Sequence, residues 1–347
     1  FAFINLTNYS HFKTKFYKIT TKFIKKISMK KIILLIFLTL NLIALTTNPK
    51  IKIPQANSCN IEDNCIDFSR RYSDDEYKRL FGIYKSECEL KNLDACIYLA
   101  EFYKSGLGVK KDATKSLEIL NKACDENNKF ACHNLGVEYQ EMKEYKMALD
   151  AFKKGCDLTL VQSCFNIAVL YNNGGGVKRD YKKAAKIYKE VCEQNFYEGC
   201  YNLAVLYHNT PGVKRDYKEA IKLYKKACDS DFSISCYNLA SLYQEQKEYE
   251  KANKLYFKAC KLDFADACNN LASLYDDALG VEKDDEVAFR YYNKACRLDS
   301  ASGCKHLAYF YYHGIGTKKD KKLAEKELKK ACKLGLKEAC EIVRDFH

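Results

Sequence analysis

From Cys200 onward, apolar side chains at Cys200, Leu203, Ala204 and Tyr207 follow an i, i+3, i+4, i+7 stripe that predicts a short amphipathic helix. A turn containing Pro211-Gly212-Val213 comes next. Beyond it, Asp216 stands as an N-cap, and Tyr217, Ala220, Ile221, Tyr224, Ala227 and Cys228 mark the apolar face of a second helix. The same two faces recur at Cys164/Ile167/Ala168/Tyr171 with Tyr181/Ala184/Ala185/Tyr188, and at Cys268/Leu271/Ala272/Tyr275 with Ala288/Tyr291/Ala295. Small Ala at fixed places lets helices approach closely, while Tyr and Leu fill the gaps between units.

The repeat length follows from the cysteines. From Cys88 onward they fall as Cys88/Cys96, Cys124/Cys132, Cys156/Cys164, Cys192/Cys200, Cys228/Cys236, Cys260/Cys268, Cys296/Cys304 and Cys332/Cys340, every pair eight apart. First members of successive pairs step by 36 or 32 residues, the period of helix-turn-helix solenoids. Seven full units are expected within an array over 88–340: 96–131, 132–163, 164–199, 200–235, 236–267, 268–303 and 304–339. A cap and linker, 47–87, precede them and a half unit, 340–347, follows, as a stacked array requires. In the two 32-residue units, Gln-Glu-x-Lys-Glu-Tyr replaces a Gly-rich turn between the helices. That deletion leaves both helices whole and reads as a surface loop.

The net charge of +13 invites a nucleic-acid reading, but ten Lys and no acid lie in residues 1–58, and removing them leaves +3. A basic surface confined to the N-terminus is no argument for phosphate binding. Met29-Lys30-Lys31 followed by the apolar run Ile32 to Leu45 reads as a signal peptide over 29–46, because the run is too short to span a bilayer comfortably. Cleavage is expected after Ala44-Leu45-Thr46 or near Ala56, and residues 1–28 are read as an upstream extension. The mature chain is therefore expected to be secreted or periplasmic, with no membrane segment after signal removal.

Each cysteine pair joins the end of one second helix to the start of the next first helix. C-x₇-C is not a usual zinc spacing and an exported chain meets oxidising conditions, so disulfides are favoured over metal or redox chemistry. Nearest-neighbour pairing is the economical choice in an array whose units touch only neighbours, with Cys59 and Cys65 left as the remaining pair. No metal site and no cofactor are expected.

The motif set N-L-A-x-L-Y, G-V-K-R-D-Y-K-x-A and K-A-C at a period of 36 resembles Sel1-like repeats, relatives of tetratricopeptide repeats. With C-x₇-C in every unit, it looks specifically like the Helicobacter cysteine-rich proteins. The resemblance implies an all-α, right-handed, disulfide-stapled solenoid. It also implies a β-lactam-binding protein with slow β-lactamase activity and affinity for peptidoglycan fragments.

The residues themselves offer no hydrolase set. Ser302-Gly303-Cys304-Lys305 matches the serine-enzyme S-x-x-K and Lys104-Ser105-Gly106 loosely echoes K-T-G, but the two lie far apart in the array and no strand is predicted to carry the second. None of His11, His133, His208, His306, His313 and His347 forms H-x-H-x-D, and His306 with His313 reads as a pair of groove or surface side chains. Whether the chain is an enzyme stays open on the residues alone, and no catalytic residue is named.

A groove is the alternative site. First helices are expected to line the inner face of the stack. The position two after each first-helix cysteine is Asn134, Asn166, Asn202, Asn238 or Asn270 in five units, with Tyr98 and His306 as outliers. Asn172-Asn173, His208-Asn209, Gln244-Glu245 and Asp276-Asp277 form a second polar column near the helix ends. Amides both donate and accept, which suits a peptide backbone or N-acetylated sugar. The competing reading is that these Asn bond neighbouring helices. The expected partner is thus a β-lactam or peptidoglycan fragment, by resemblance, or a protein or peptide in the groove of a monomer.

Overall fold

The computed structural model describes residues 72–344, which form sixteen α-helices and no strand among the described residues. The expectations for 1–28, the signal peptide, Cys59 with Cys65, His11 and His347 lie outside that range. Two compact units divide the chain, residues 1–86 and 87–347. Helix α1 (Asp74–Glu89), most of which lies in the first, starts at a capping box: the Ser73 N–H donates to the Glu76 carboxylate at 2.8 Å and the Glu76 N–H returns to the Ser73 hydroxyl at 3.3 Å.

The second unit is the repeat array. Its first helices are α2 (Leu93–Ser105), α4 (Lys129–Glu141), α6 (Val161–Asn173), α8 (Tyr197–Asn209), α10 (Ser233–Glu245), α12 (Ala265–Asp276) and α14 (Ala301–His313). The alternating second helices are α3 (Ala113–Asp125), α5 (Tyr145–Asp157), α7 (Tyr181–Glu193), α9 (Tyr217–Asp229), α11 (Tyr249–Lys261), α13 (Asp285–Arg297) and α15 (Lys321–Lys333), and the half helix α16 (Lys337–Arg344) closes the described part. Every helix of the array packs on the next, so the core is one continuous ribbon divided into neighbour-to-neighbour clusters, as in any stacked array.

The helix boundaries have local causes. In the 36-residue units Asp112, Asp180, Asp216, Asp284 and Asp320 each accept a backbone N–H from the first turn of a second helix, so Asp216 caps α9 as its position implied. In the 32-residue units the three-residue turns leave Glu144 and Glu248 before α5 and α11, with no side-chain cap. Second helices end in a three-residue turn whose middle residue is left-handed. Asp231 at φ 63° donates its N–H to the Cys228 carbonyl at 2.9 Å, and Phe232 donates to Ala227 at 3.1 Å.

Eight disulfides connect adjacent helices, and each pairs cysteines eight apart. In chain order they are Cys88–Cys96, Cys124–Cys132, Cys156–Cys164, Cys192–Cys200, Cys228–Cys236, Cys260–Cys268, Cys296–Cys304 and Cys332–Cys340, with Cα–Cα separations of 4.4 to 4.8 Å. The nearest-neighbour pairing expected from the spacing is therefore the one present at all sixteen repeat cysteines. Their setting differs from the expectation in one respect, because both cysteines of a pair sit inside helices. Cys192 is one residue from the end of α7 and Cys200 lies in the first turn of α8, so the expected seven-residue loop is mostly helix. Likewise Cys124 falls in the last turn of α3 and Cys132 in the first turn of α4, and Cys228 and Cys236 stand the same way in α9 and α10. In the chain-entropy account each such closure stabilises by about 2–3 kcal/mol.

The long inter-helix loops do more than cover the surface. A Cβ on Gly316 would come within 2.1 Å of the Asp285 carbonyl oxygen, and one on Gly280 within 2.6 Å of the Glu250 nitrogen. These glycines let the loop of one unit rest on the start of the previous unit's second helix, where no side chain fits.

Candidate binding face

Four residues before the first cysteine of each pair from Cys124 onward, a large side chain is buried in the stack: Leu120, Phe152, Tyr188, Tyr224, Tyr256, Tyr292 and Leu328. Four of these are tyrosines, and a buried hydroxyl needs a partner. For Tyr224 and Tyr256 the next unit supplies it through the Asn column. Asn270 Nδ2 donates to the Tyr256 hydroxyl at 3.2 Å, Asn238 bonds the Tyr224 hydroxyl, and the Tyr256 O–H donates to Gln244 Oε1 at 2.8 Å. Burial holds every one of these phenols above its ordinary range, Tyr256 at about 12.

The other predicted residues are placed as follows. Asn202 donates back to the Glu198 carbonyl at 2.9 Å within α8, and half-buried Asn166 lies at the same position of α6. Asn134 lines a 150 Å³ cavity with Glu101, Lys104 and Glu138, where burial raises both carboxyls. Asn172 Nδ2 donates to Asn173 Oδ1 at 2.9 Å at the end of α6. His208 Nδ1 stands 3.4 Å from the Tyr224 hydroxyl, while Asn209 is exposed. The column therefore has two faces. Asn238 and Asn270 tie unit to unit, Asn202 bonds within its own helix, and all five amides are half-buried.

Successive first helices touch directly, α2 with α4 and α12 with α14. Where α14 packs on α12, a cavity of about 740 Å³ opens, lined by Ser273, Asp276, Asp277, Tyr292, His306, Tyr309, Phe310, Tyr312 and Leu328 and reaching Glu338 and Ile342 of α16. Lys305 borders it but is held by Glu338 at 3.1 Å, and Cys304 beside it is in a disulfide, so the S-x-x-K match offers a paired lysine and an oxidised cysteine. Among the described residues one cluster has metal-ligand proximity, Cys296, Cys304 and Glu327, and its two sulfurs are bonded to each other.

A further set escaped the sequence reading. Lys226, Lys258, Lys294 and Lys330 occupy the K of K-A-C. Each Nζ donates, at 2.6 to 2.8 Å, to the carbonyl of the first cysteine in the preceding pair. Three of them also pair with the left-handed Asp231, Asp263 or Asp299 at 2.8 to 3.0 Å. The signal was present as a lysine two before the cysteine in most units, but its target is fixed only by stacking.

A disulfide-stapled solenoid of helix pairs is the class that this fold defines. The Sel1 repeat model matches residues 93–128, 161–196, 198–232, 265–300 and 301–336, and a tetratricopeptide repeat model matches 131–159 and 233–266. The chain belongs to the Sel1 repeat family. Cytochrome c oxidase assembly factor 7 of Xenopus tropicalis is 30% identical over 115 residues, covering 30% of this chain and 50% of that protein; the chain thus spans half the length of this relative. A Sel1 repeat protein from Oxalobacter formigenes superposes with a TM-score of 0.66 over 80% of this chain and 82% of its own, at 20% identity. Cysteine-rich protein B of Helicobacter pylori is 38% identical, covering 39% of this chain and 99% of its own, with a TM-score of 0.32.

Proposed function

We propose that the chain is an exported, cysteine-rich scaffold that binds an extended peptide or protein segment along the inner face of its array. The observation that carries this reading is the 740 Å³ opening along α14, lined by polar and aromatic side chains of α12 and α14. Sel1 and tetratricopeptide repeats generally serve as protein-interaction modules, and eight disulfides suit an oxidising compartment. No helix of the described residues is long and apolar enough to cross a membrane.

The β-lactam-binding and slow hydrolytic activity that the cysteine-rich resemblance implies would use this same face, with a peptidoglycan peptide as the related ligand. It rests on resemblance, since Lys305 is paired with Glu338 and no serine–lysine set is assembled around it.

Site-specific photo-crosslinking tests the scaffold reading. A benzoylphenylalanine at Tyr309, at the cavity rim, should trap a partner reproducibly, and one at Lys186, on an exposed second-helix face, should not. Equal yields from both positions would refute it. Turnover of a chromogenic cephalosporin above buffer, lost on changing His306, would favour the hydrolase instead.

A further inference from the structure

A chain of hydrogen bonds runs across three units and ends at the cavity. The Tyr256 O–H donates to Gln244 Oε1 at 2.8 Å, Asn270 Nδ2 donates to the Tyr256 oxygen at 3.2 Å, and Asn269 Nδ2 donates to Asn270 Oδ1 at 3.2 Å. Asn269 turns its amino group to Asn270 and its Oδ1 to His306 Nδ1, 2.9 Å away. An acceptor opposite Nδ1 fixes the proton on that nitrogen and leaves Nε2 as a bare acceptor. Burial keeps the imidazole on its neutral side by lowering its tendency to protonate.

Around His306 the cavity presents further acceptors. Asp276 and Asp277 adjoin each other at the end of α12, and burial together with the Asp277 charge pushes the Asp276 carboxyl upward. Of the cations nearby, Lys305 pairs with Glu338 at 3.1 Å, and Lys283 is shared between Asp285 at 3.4 Å and Asp276 at 4.0 Å, so Asp276 is only partly neutralised and Asp277 has no lysine partner among these pairs. Asp277 is served by the Ser273 hydroxyl at 3.0 Å, which leaves acceptor capacity on the carboxylate. At the rim Tyr309 is 54% exposed and offers an aromatic surface for an aliphatic stem or a cation.

We propose that the cavity between α12 and α14 is a slot for a basic side chain, the guanidinium or ammonium of an Arg or Lys in an extended partner segment, gripped between His306 Nε2 and the Asp276–Asp277 pair. Carboxylates with an acceptor imidazole match a group that only donates, and they reject carboxylates. This rests on the peptide-binding reading above and adds the chemistry of the residue recognised.

Two measurements on the oxidised full chain separate the slot from the peptide groove. In the first, long-range ¹H–¹⁵N spectra report the His306 tautomer while N-acetyl-arginine methylamide is added, with the norleucine analogue as control. The proton should sit on Nδ1, and the arginine amide alone should shift Nε2. A proton on Nε2, or equal shifts from both amides, overturns the slot.

In the second, fluorescence anisotropy compares three labelled Ala/Ser/Thr peptides that carry Arg, norleucine or Glu at the centre. The norleucine peptide should bind about tenfold more weakly than the Arg peptide, the loss of one charge-assisted hydrogen bond, and the Glu peptide weaker still. Asp277→Asn, on an exposed helix end, should bring the Arg peptide down to the norleucine level with unchanged melting. Equal binding of all three peptides overturns the slot and keeps the groove. A His306 response to the arginine amide without binding of any peptide keeps the slot and overturns the groove, and silence in both experiments overturns both.

Discussion

Lys294 Nζ donates to the carbonyl oxygen of Cys260 at 2.8 Å, 34 residues earlier in the chain, so the end of one second helix is clamped by the end of the next. The carbonyls at a helix C-terminus lack intrahelical donors and carry partial negative charge, which makes a lysine their natural partner. The same lysine meets Asp263 at 2.9 Å, but both side chains are over a third exposed and that ion pair contributes little. Lys294→Met should therefore cost about 1.5–3 kcal/mol, the worth of a hydrogen bond from a charged donor. Urea unfolding of the oxidised protein measures it.

In α7 Glu190 stands where α9, α11, α13 and α15 carry the clamping lysine, and the turn after Cys156 holds Thr159 at φ 68°. A β-branched residue is strained in the left-handed region, at a cost of about 1–3 kcal/mol. The 156–164 junction is thus expected to be weaker than the clamped junctions that begin at Cys192, Cys228, Cys260 and Cys296. Thr159→Gly should raise the melting temperature, and Glu190→Lys should add to it. Native-state hydrogen exchange should find the amides of α6 opening before those of α12, and uniform protection along the array would contradict this.

Gly316→Ala and Gly212→Ala separate backbone conformation from contact. Both glycines have positive φ, 62° and 84°, but only Gly316 lies against the preceding unit, whereas a Cβ on Gly212 meets nothing within 4 Å. The alanine at 316 should be clearly the more destabilising in thermal melts. Equal losses at both positions would mean that backbone strain alone sets the cost.

Alkali should unfold the array through its tyrosines. Below pH 10 the phenols are neutral in both the folded and the unfolded chain, so their contribution to stability is fully present. As pH rises past the ordinary tyrosine value of 10.0, the unfolded chain ionises first and stability falls until the folded phenol also ionises, for Tyr256 at about 12. A shift of that size is worth about 3 kcal/mol. Tyr188, Tyr224 and Tyr292 are raised in the same direction. Stability measured between pH 9 and 12 should drop steeply, and Tyr256→Phe should flatten part of the drop.

Removing one staple tests how local each closure is. The pair change Cys192→Ala with Cys200→Ala should lower stability by about 2–3 kcal/mol in the chain-entropy account. Because each unit touches only its neighbours, exchange protection should fall in α7 and α8 and stay unchanged in α14 and α15.

Much of this protein is set by the chain alone. The period, the two helices per unit, the Asp caps such as Asp216 and the pairing of cysteines eight apart are all local, governed by interactions within a few residues, and local interactions leave their mark as spacing. What spacing could not convey is which residue of the next unit a side chain meets. The Asn column was visible as a row, but only stacking places Asn270 against the Tyr256 hydroxyl and so divides the column between structure and binding face. The lysine of K-A-C was visible as a letter, but its acceptor at Cys260 is 34 residues away. Likewise, Asp276, Asp277 and His306 lie about one period apart in sequence, and only the packing of α14 on α12 turns them into the walls of one cavity.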